Sequence, residues 1–184
     1  YMIDKIISFG DSFMYGSDLA DCDGTGHDRF SKLTWPALCA KELGLEYHSY
    51  SGGAFANKNI AMTIFEMASP TALNIINWSW VDRFSYMPAG SVKTQLHWKK
   101  ITPASTDSVS KFYYKHIQSE FDDIATSLMF VYSTLSYLKN EQIPFVSTYL
   151  DKLLTDTTFW NTRNNAPFIM KTGIENDLQT FPNN

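Results

Sequence analysis

A chain of 184 residues with 44% hydrophobic and 15% aromatic side chains can bury the core of one domain, and 18% charged residues are too few for a disordered chain. The net charge of −4, with Lys99 and Lys100 as the one local basic cluster, argues against nucleic acid, because phosphate binding needs clustered Lys and Arg. Two cysteines, Cys22 and Cys39, are too few for a disulfide scaffold or zinc site, and neither a secretory pattern nor a membrane-spanning apolar run is visible; the expectation is one soluble, cytoplasmic-type domain over residues 1–184 with no membrane partner.

Residues 4–9 (DKIISF) predict a strand that runs directly into the turn formers Gly10, Asp11 and Ser12. Residues 34–43 predict a helix with Pro36 in its first turn, Gly44 as its stop, and Trp35, Leu38, Cys39 and Leu43 at apolar helical spacing. Residues 45–50 predict a second strand ending in Ser51, Gly52 and Gly53, and residues 59–67 a second helix. Residues 72–78 (ALNIINW) predict a third strand, and residues 79–108 an irregular stretch of the length that usually serves function. Residues 109–140 predict one long amphipathic helix, with Phe121, Ile124, Ala125, Leu128, Val131, Tyr132, Leu135 and Leu138 recurring at threes and fours. Residues 144–150 (PFVSTYL) predict a fourth strand, and a short apolar run at 167–170 precedes a polar tail.

Strands alternating with helices predict an α/β chain, a flavodoxin-like three-layer α/β/α sandwich on a parallel sheet. Ligands bind such sheets beyond the carboxyl ends of the strands. Three strand ends there carry small polar residues, at Gly10-Asp11-Ser12, Ser51-Gly52-Gly53 and Asn77-Trp78-Ser79. A serine nucleophile needs a tight turn and backbone N–H groups aimed at the developing oxyanion, and Ser12 meets the first need. The plainer alternative is that Asp11 or Ser12 merely caps a helix.

The segment ISFGDSFMYG resembles block I of the GDSL/SGNH serine hydrolases, and SYSGGAFAN resembles their block II. The resemblance implies an esterase or acylhydrolase with Ser12 as nucleophile and the amides of Ser12 and Gly52 as oxyanion donors, Gly53 being the alternative one residue on. It implies no metal and no organic cofactor, and a small-molecule or glycan ester as partner, with Asp11, Gly53 and Arg83 beside the substrate. Block III departs from the family: IINWSWVDRF puts Ser79 where the family keeps an Asn, with Asn77 two residues earlier. Arg83 then either binds a substrate anion or forms a structural ion pair with Asp82.

The family's closing Asp-x-x-His is missing: the last histidine is His116, and the nearest late acid, Asp177, is followed three residues on by Thr180. Without a base a serine hydroxyl is a poor nucleophile at neutral pH. Three accounts compete. The natural chain extends past Asn184, as its Tyr1 start also suggests, and the 184 residues alone are weakly active or inactive; or His97 reaches the rim; or a degenerate hydrolase fold serves as a glycan- or partner-binding module. His27, near Asp21, Asp23 and Asp28, reads as a solvated loop residue rather than part of a cation site. His48 reads as a core or rim residue on a central strand, and Phe112, Tyr113, Tyr114 and Phe121 read largely as core.

Overall fold

The computed structural model describes residues 3–22, 30–89 and 98–155. His27, Asp23, Asp28, His97, the 167–170 run, Asp177 and Thr180 lie outside the described residues. In chain order the elements are β1 (Lys5–Phe9), α1 (Ser12–Tyr15), α2 (Trp35–Leu43), β2 (Glu46–Ser49), α3 (Asn57–Met67), β3 (Ala72–Trp78), β4 (Phe84–Tyr86), β5 (Lys99–Ile101), α4 (Ser108–His116), α5 (Glu120–Asn140), β6 (Phe145–Tyr149) and a short 3₁₀ helix, Lys152–Leu154. Strands β1, β2, β3 and β6 pair in parallel in the order β2-β1-β3-β6, with helices on both faces.

Alternation along β1 and β3 builds the layers. Ile7, Phe9, Ile76 and Trp78 join Ile60, Ala61 and Ile64 of α3 and Ile124, Leu128, Val131 and Leu138 of α5 in the larger core. Ile6 and Ile75 point the other way, onto Met14 of α1 and Ala37 and Ala40 of α2. Burying such a side chain contributes about 1.5–3 kcal/mol, and Ile6, Phe9, Ile76 and Trp78 have no exposed surface. The one polar atom of the Trp78 ring is satisfied, its Nε1–H donating to Ser147 Oγ at 2.9 Å.

Five expectations need correction. Helix α2 lies where periodicity put it, but Pro36, Ala37 and Ala40 are buried while Trp35, Leu38 and Leu43 are 47%, 43% and 65% exposed; small side chains let the helix sit close to β1 and β2, so shape rather than apolar bulk chose the face. The expected single helix over 109–140 is two. Ser119 caps α5 by accepting the Asp122 N–H, and Glu120, Asp122 and Asp123 fill the first turn, where the helix dipole favours acids. The irregular stretch holds an antiparallel pair, β4 with β5. His48 lies on an edge strand of the described sheet, its side chain 44% exposed and bonded to Glu46 Oε1 at 2.9 Å. Of the four aromatics, Tyr113 is buried, whereas Phe112 and Phe121 are 57% and 40% exposed.

Helix α1 is one turn long because Gly16 ends it at φ 77°. An added Cβ there would stand 2.4 Å from Ser31 Cβ and 2.9 Å from Thr34 Cγ2. Gly16→Ala combines left-handed strain with overpacking and is expected to cost about 2–3 kcal/mol, read as a lower urea midpoint.

Candidate active site

The chain leaves β1 through Gly10, where a side chain would collide with Met14 Cγ at 2.5 Å and crowd the Asn77 carbonyl at 3.1 Å. Asp11 then caps α1, its Oδ1 accepting the Phe13 N–H at 3.0 Å. Ser12 is the first residue of that helix and is partly exposed. Among the described residues neither its hydroxyl nor its backbone N–H has a hydrogen-bond partner. A cavity of about 230 Å³, lined by Ser12, Phe13, Gly16, Ser17, Asp18 and Leu19, adjoins it.

The second turn is stitched to the first: the Gly52 N–H donates to the Gly10 carbonyl at 3.1 Å and the Phe55 N–H to the Gly52 carbonyl at 3.2 Å. Within it Ala54 takes a left-handed φ of 60°, which costs a non-glycine residue about 1–2 kcal/mol. Gly52 therefore has its amide engaged, whereas the Gly53 N–H has no partner among the described residues. Of the two candidate donors, Gly53 rather than Gly52 therefore has its N–H unengaged among the described residues.

Asp11 is fully buried. Its Oδ2 accepts from Arg83 Nη1 at 2.7 Å and from Ser79 Oγ at 3.1 Å, and the same Arg83 nitrogen donates to Ser79 Oγ at 2.9 Å and to the Phe55 carbonyl at 3.4 Å. Arg83 thus pairs with Asp11 rather than with its neighbour Asp82. Having no exposed surface, Asp11 ties the β1 and β3 ends together and does not reach a ligand. Ser79 has its hydroxyl proton committed to Asp11. Asn77 differs: Oδ1 accepts from Thr148 Oγ1 at 2.9 Å, and its amide nitrogen has no partner among the described residues.

Two supports went unrecognised in the sequence. Asn57 clasps the Ser79 backbone, accepting its N–H at 2.8 Å and donating to its carbonyl at 3.1 Å. Asp151 accepts the Val81 N–H at 3.0 Å and the Leu153 N–H at 2.9 Å. Asn57 lies 22 positions from Ser79 and Asp151 lies 70 from Val81, so only the strand register brings these pairs together; an Asn at the start of a helix and an Asp after a strand are faint signals on their own.

Among the described residues no histidine bonds to Ser12: His48 bonds Glu46, and the His116 ring packs on Phe112 at 4.9 Å. No group of three or more His, Cys, Asp or Glu side chains is placed to hold a metal ion among the described residues, and none of their helices is long and apolar enough to cross a membrane.

Burial raises the Asp82 carboxyl above its ordinary value of 3.8, the Asp151 charge adding to the effect and Arg83 opposing it. A raised carboxyl pKa means the folded protein holds that proton more tightly, so ionisation costs stability. The cost is absent below 3.8 and complete once pH has passed the folded value. Asp82→Asn is therefore expected to raise Tm at pH 7 by roughly 1–2 °C, and the difference should close as pH falls toward 3.8 in paired thermal melts.

In comparisons with known proteins, the chain matches no family model, no curated protein and no solved structure.

Proposed function

We propose that the chain is a serine hydrolase of carboxylic esters, with Ser12 as nucleophile. The observation that carries this reading is Ser12 itself: a partly exposed hydroxyl without a partner among the described residues, at the start of a helix that leaves a parallel strand, beside a cavity of about 230 Å³. Ser12 Oγ attacks the acyl carbonyl and forms an ester bond, while the alcohol C–O bond breaks and the alcohol departs with a proton. Water then hydrolyses the acyl-enzyme, releasing the acid and restoring Ser12. The amides of Ser12 and Gly53 and the Asn77 side chain supply the oxyanion donors, and the proton acceptor implied by the resemblance to GDSL/SGNH hydrolases, an Asp-x-x-His pair, is not among the 184 residues.

The test is labelling with a fluorophosphonate, located by peptide mapping, together with turnover of 4-nitrophenyl acetate. The expected result is label on Ser12 and turnover lost once the label is in place. Absence of both label and turnover in the intact gene product sinks the reading. A binding module is the second reading, favoured by the engagement of the Gly52 amide and Ser79 hydroxyl in scaffold bonds. It predicts ligand retention without turnover.

A further inference from the structure

We infer that a cavity of about 170 Å³, bordered by the first turn of α3, strand β4 and the N-terminal half of α5, is a binding site for a free α-amino acid with a short apolar side chain. The cavity at Ser12 shares no lining residue with it, so the inference stands apart from the hydrolase reading.

Ser85, on β4, lines the cavity and is 1% exposed, yet its Oγ has no hydrogen-bond partner among the described residues. A buried hydroxyl left unpaired is costly, and a polar ligand in the cavity removes that cost. Charges of both signs border the same space. Lys58, on the first turn of α3, and Asp122, on the first turn of α5, both line it, and no ion pair joins them. Among the described residues the Lys58 ammonium meets only the Trp98 ring, at 5.0 Å from its centroid. The backbone N–H groups of Asn57 and Lys58 also lack acceptors there, and the start of this eleven-residue helix favours an anion. On the α5 side, Asp123 accepts from Tyr113 Oη at 3.1 Å and from Gln118 Nε2 at 2.8 Å, one donor on each oxygen. A carboxylate so engaged keeps lone pairs for a further donor.

Each simpler ligand leaves part of this lining opposed. A lone anion would meet Asp122 and Asp123, a lone cation would meet Lys58 and Arg83, and an apolar molecule would leave Ser85 unpaired. A zwitterion answers all three: its carboxylate goes to Lys58 and the start of α3, its ammonium to Asp122 and Asp123, and one of the two gives Ser85 its missing partner. Arg83 contributes less than Lys58, because its charge is matched by buried Asp11. Val81, Phe84 and Phe130 supply the apolar wall for a side chain, and the Phe84 ring is held by stacking on Tyr113 with centroids 4.5 Å apart. Size agrees with this class. A cavity of about 150 Å³ admits a six-carbon ring, so one of about 170 Å³ suits an amino acid of leucine size or smaller.

The experiment titrates the full chain by calorimetry with L-leucine, with 4-methylpentanoate, which lacks the ammonium, and with L-leucinamide, which lacks the carboxylate. Leucine is expected to bind at least about tenfold more tightly than either. Lys58→Gln should weaken leucine about fivefold or more and leave leucinamide unchanged or tighter, and Asp122→Asn should do the same with 4-methylpentanoate as the unaffected ligand. Ser85→Ala should weaken leucine about threefold to tenfold, while the Tm of the ligand-free protein stays the same or rises, because an unpaired group has been deleted. Ser12→Ala should bind leucine as the parent does, since Ser12 lines the other cavity. No saturable binding of leucine, which means a cavity filled by water alone, overturns the inference. So does equal affinity for either control, full affinity in both charge variants, or loss of binding on Ser12→Ala.

Discussion

Arg83→Ala is expected to lower stability by about 3–5 kcal/mol, the usual cost of stranding a buried charge, and to drop Tm by roughly 10 °C for a chain of this size. The reason lies in Asp11. Its carboxylate has no exposed surface, and the Arg83 side chain is only 14% exposed, so water replaces the lost guanidinium poorly. What remains for Asp11 is the Ser79 hydroxyl and the Phe13 N–H. Arg83→Lys keeps the charge on a single nitrogen, and because Arg83 Nη1 alone makes the contacts to Asp11, Ser79 and the Phe55 carbonyl, the ammonium should recover part of the loss. Asp11→Asn combined with Arg83→Met removes both charges, and Asn keeps an oxygen to cap α1. That double variant should be more stable than Arg83→Ala alone. Urea unfolding of the parent chain, Asp11→Asn, Arg83→Met and their double variant gives the coupling directly, and a loss under about 1 kcal/mol for Arg83→Ala would remove the pair from its place as the clamp between β1 and β3.

The clamp also shows where the sequence was readable and where it was not. The strand-to-turn transitions at Gly10 and Ser51 were legible, because short apolar runs ending in Gly, Asp and Ser have few local alternatives. The partner of Arg83 was not: Asp82 is adjacent in sequence, whereas Asp11 lies 72 positions away and meets Arg83 only through the β1–β3 register. The choice between Gly52 and Gly53 turned on one hydrogen bond, from the Gly52 N–H to the Gly10 carbonyl, which no pattern of residue types encodes. Helix α2 illustrates a different limit. Periodicity located it, but its buried side is made of Pro36, Ala37 and Ala40, which a scale of apolar bulk ranks below Trp35 and Leu43. Strands β4 and β5, at three residues each, are shorter than any window in which alternation can be seen.

Ser12→Ala should abolish ester turnover while leaving the fold intact, and that contrast with Arg83→Ala separates chemistry from scaffold. With no hydrogen bond to its hydroxyl among the described residues, Ser12 contributes little to stability, and Tm should move by less than about 1–2 °C. Loss of the nucleophile should lower kcat/KM for 4-nitrophenyl acetate by at least about 10³-fold. The third oxyanion donor is then decided between Asn77 and Ser79. Removing one such donor typically costs about 10²–10³-fold in kcat. Asn77→Ala should show a fall of that size, with a small effect on Tm, because Thr148 Oγ1 keeps its bond to the Ile76 carbonyl at 3.1 Å once Asn77 Oδ1 is gone. Ser79→Ala should lower kcat less than about tenfold and act mainly through stability, because its hydroxyl donates to Asp11 at 3.1 Å and so has no proton for a substrate oxygen. If Ser79→Ala proves the more damaging to kcat at unchanged Tm, the hydroxyl must turn away from Asp11 during catalysis, and Arg83, 2.7 Å from the same carboxylate, would then have to hold Asp11 with the Phe13 N–H only.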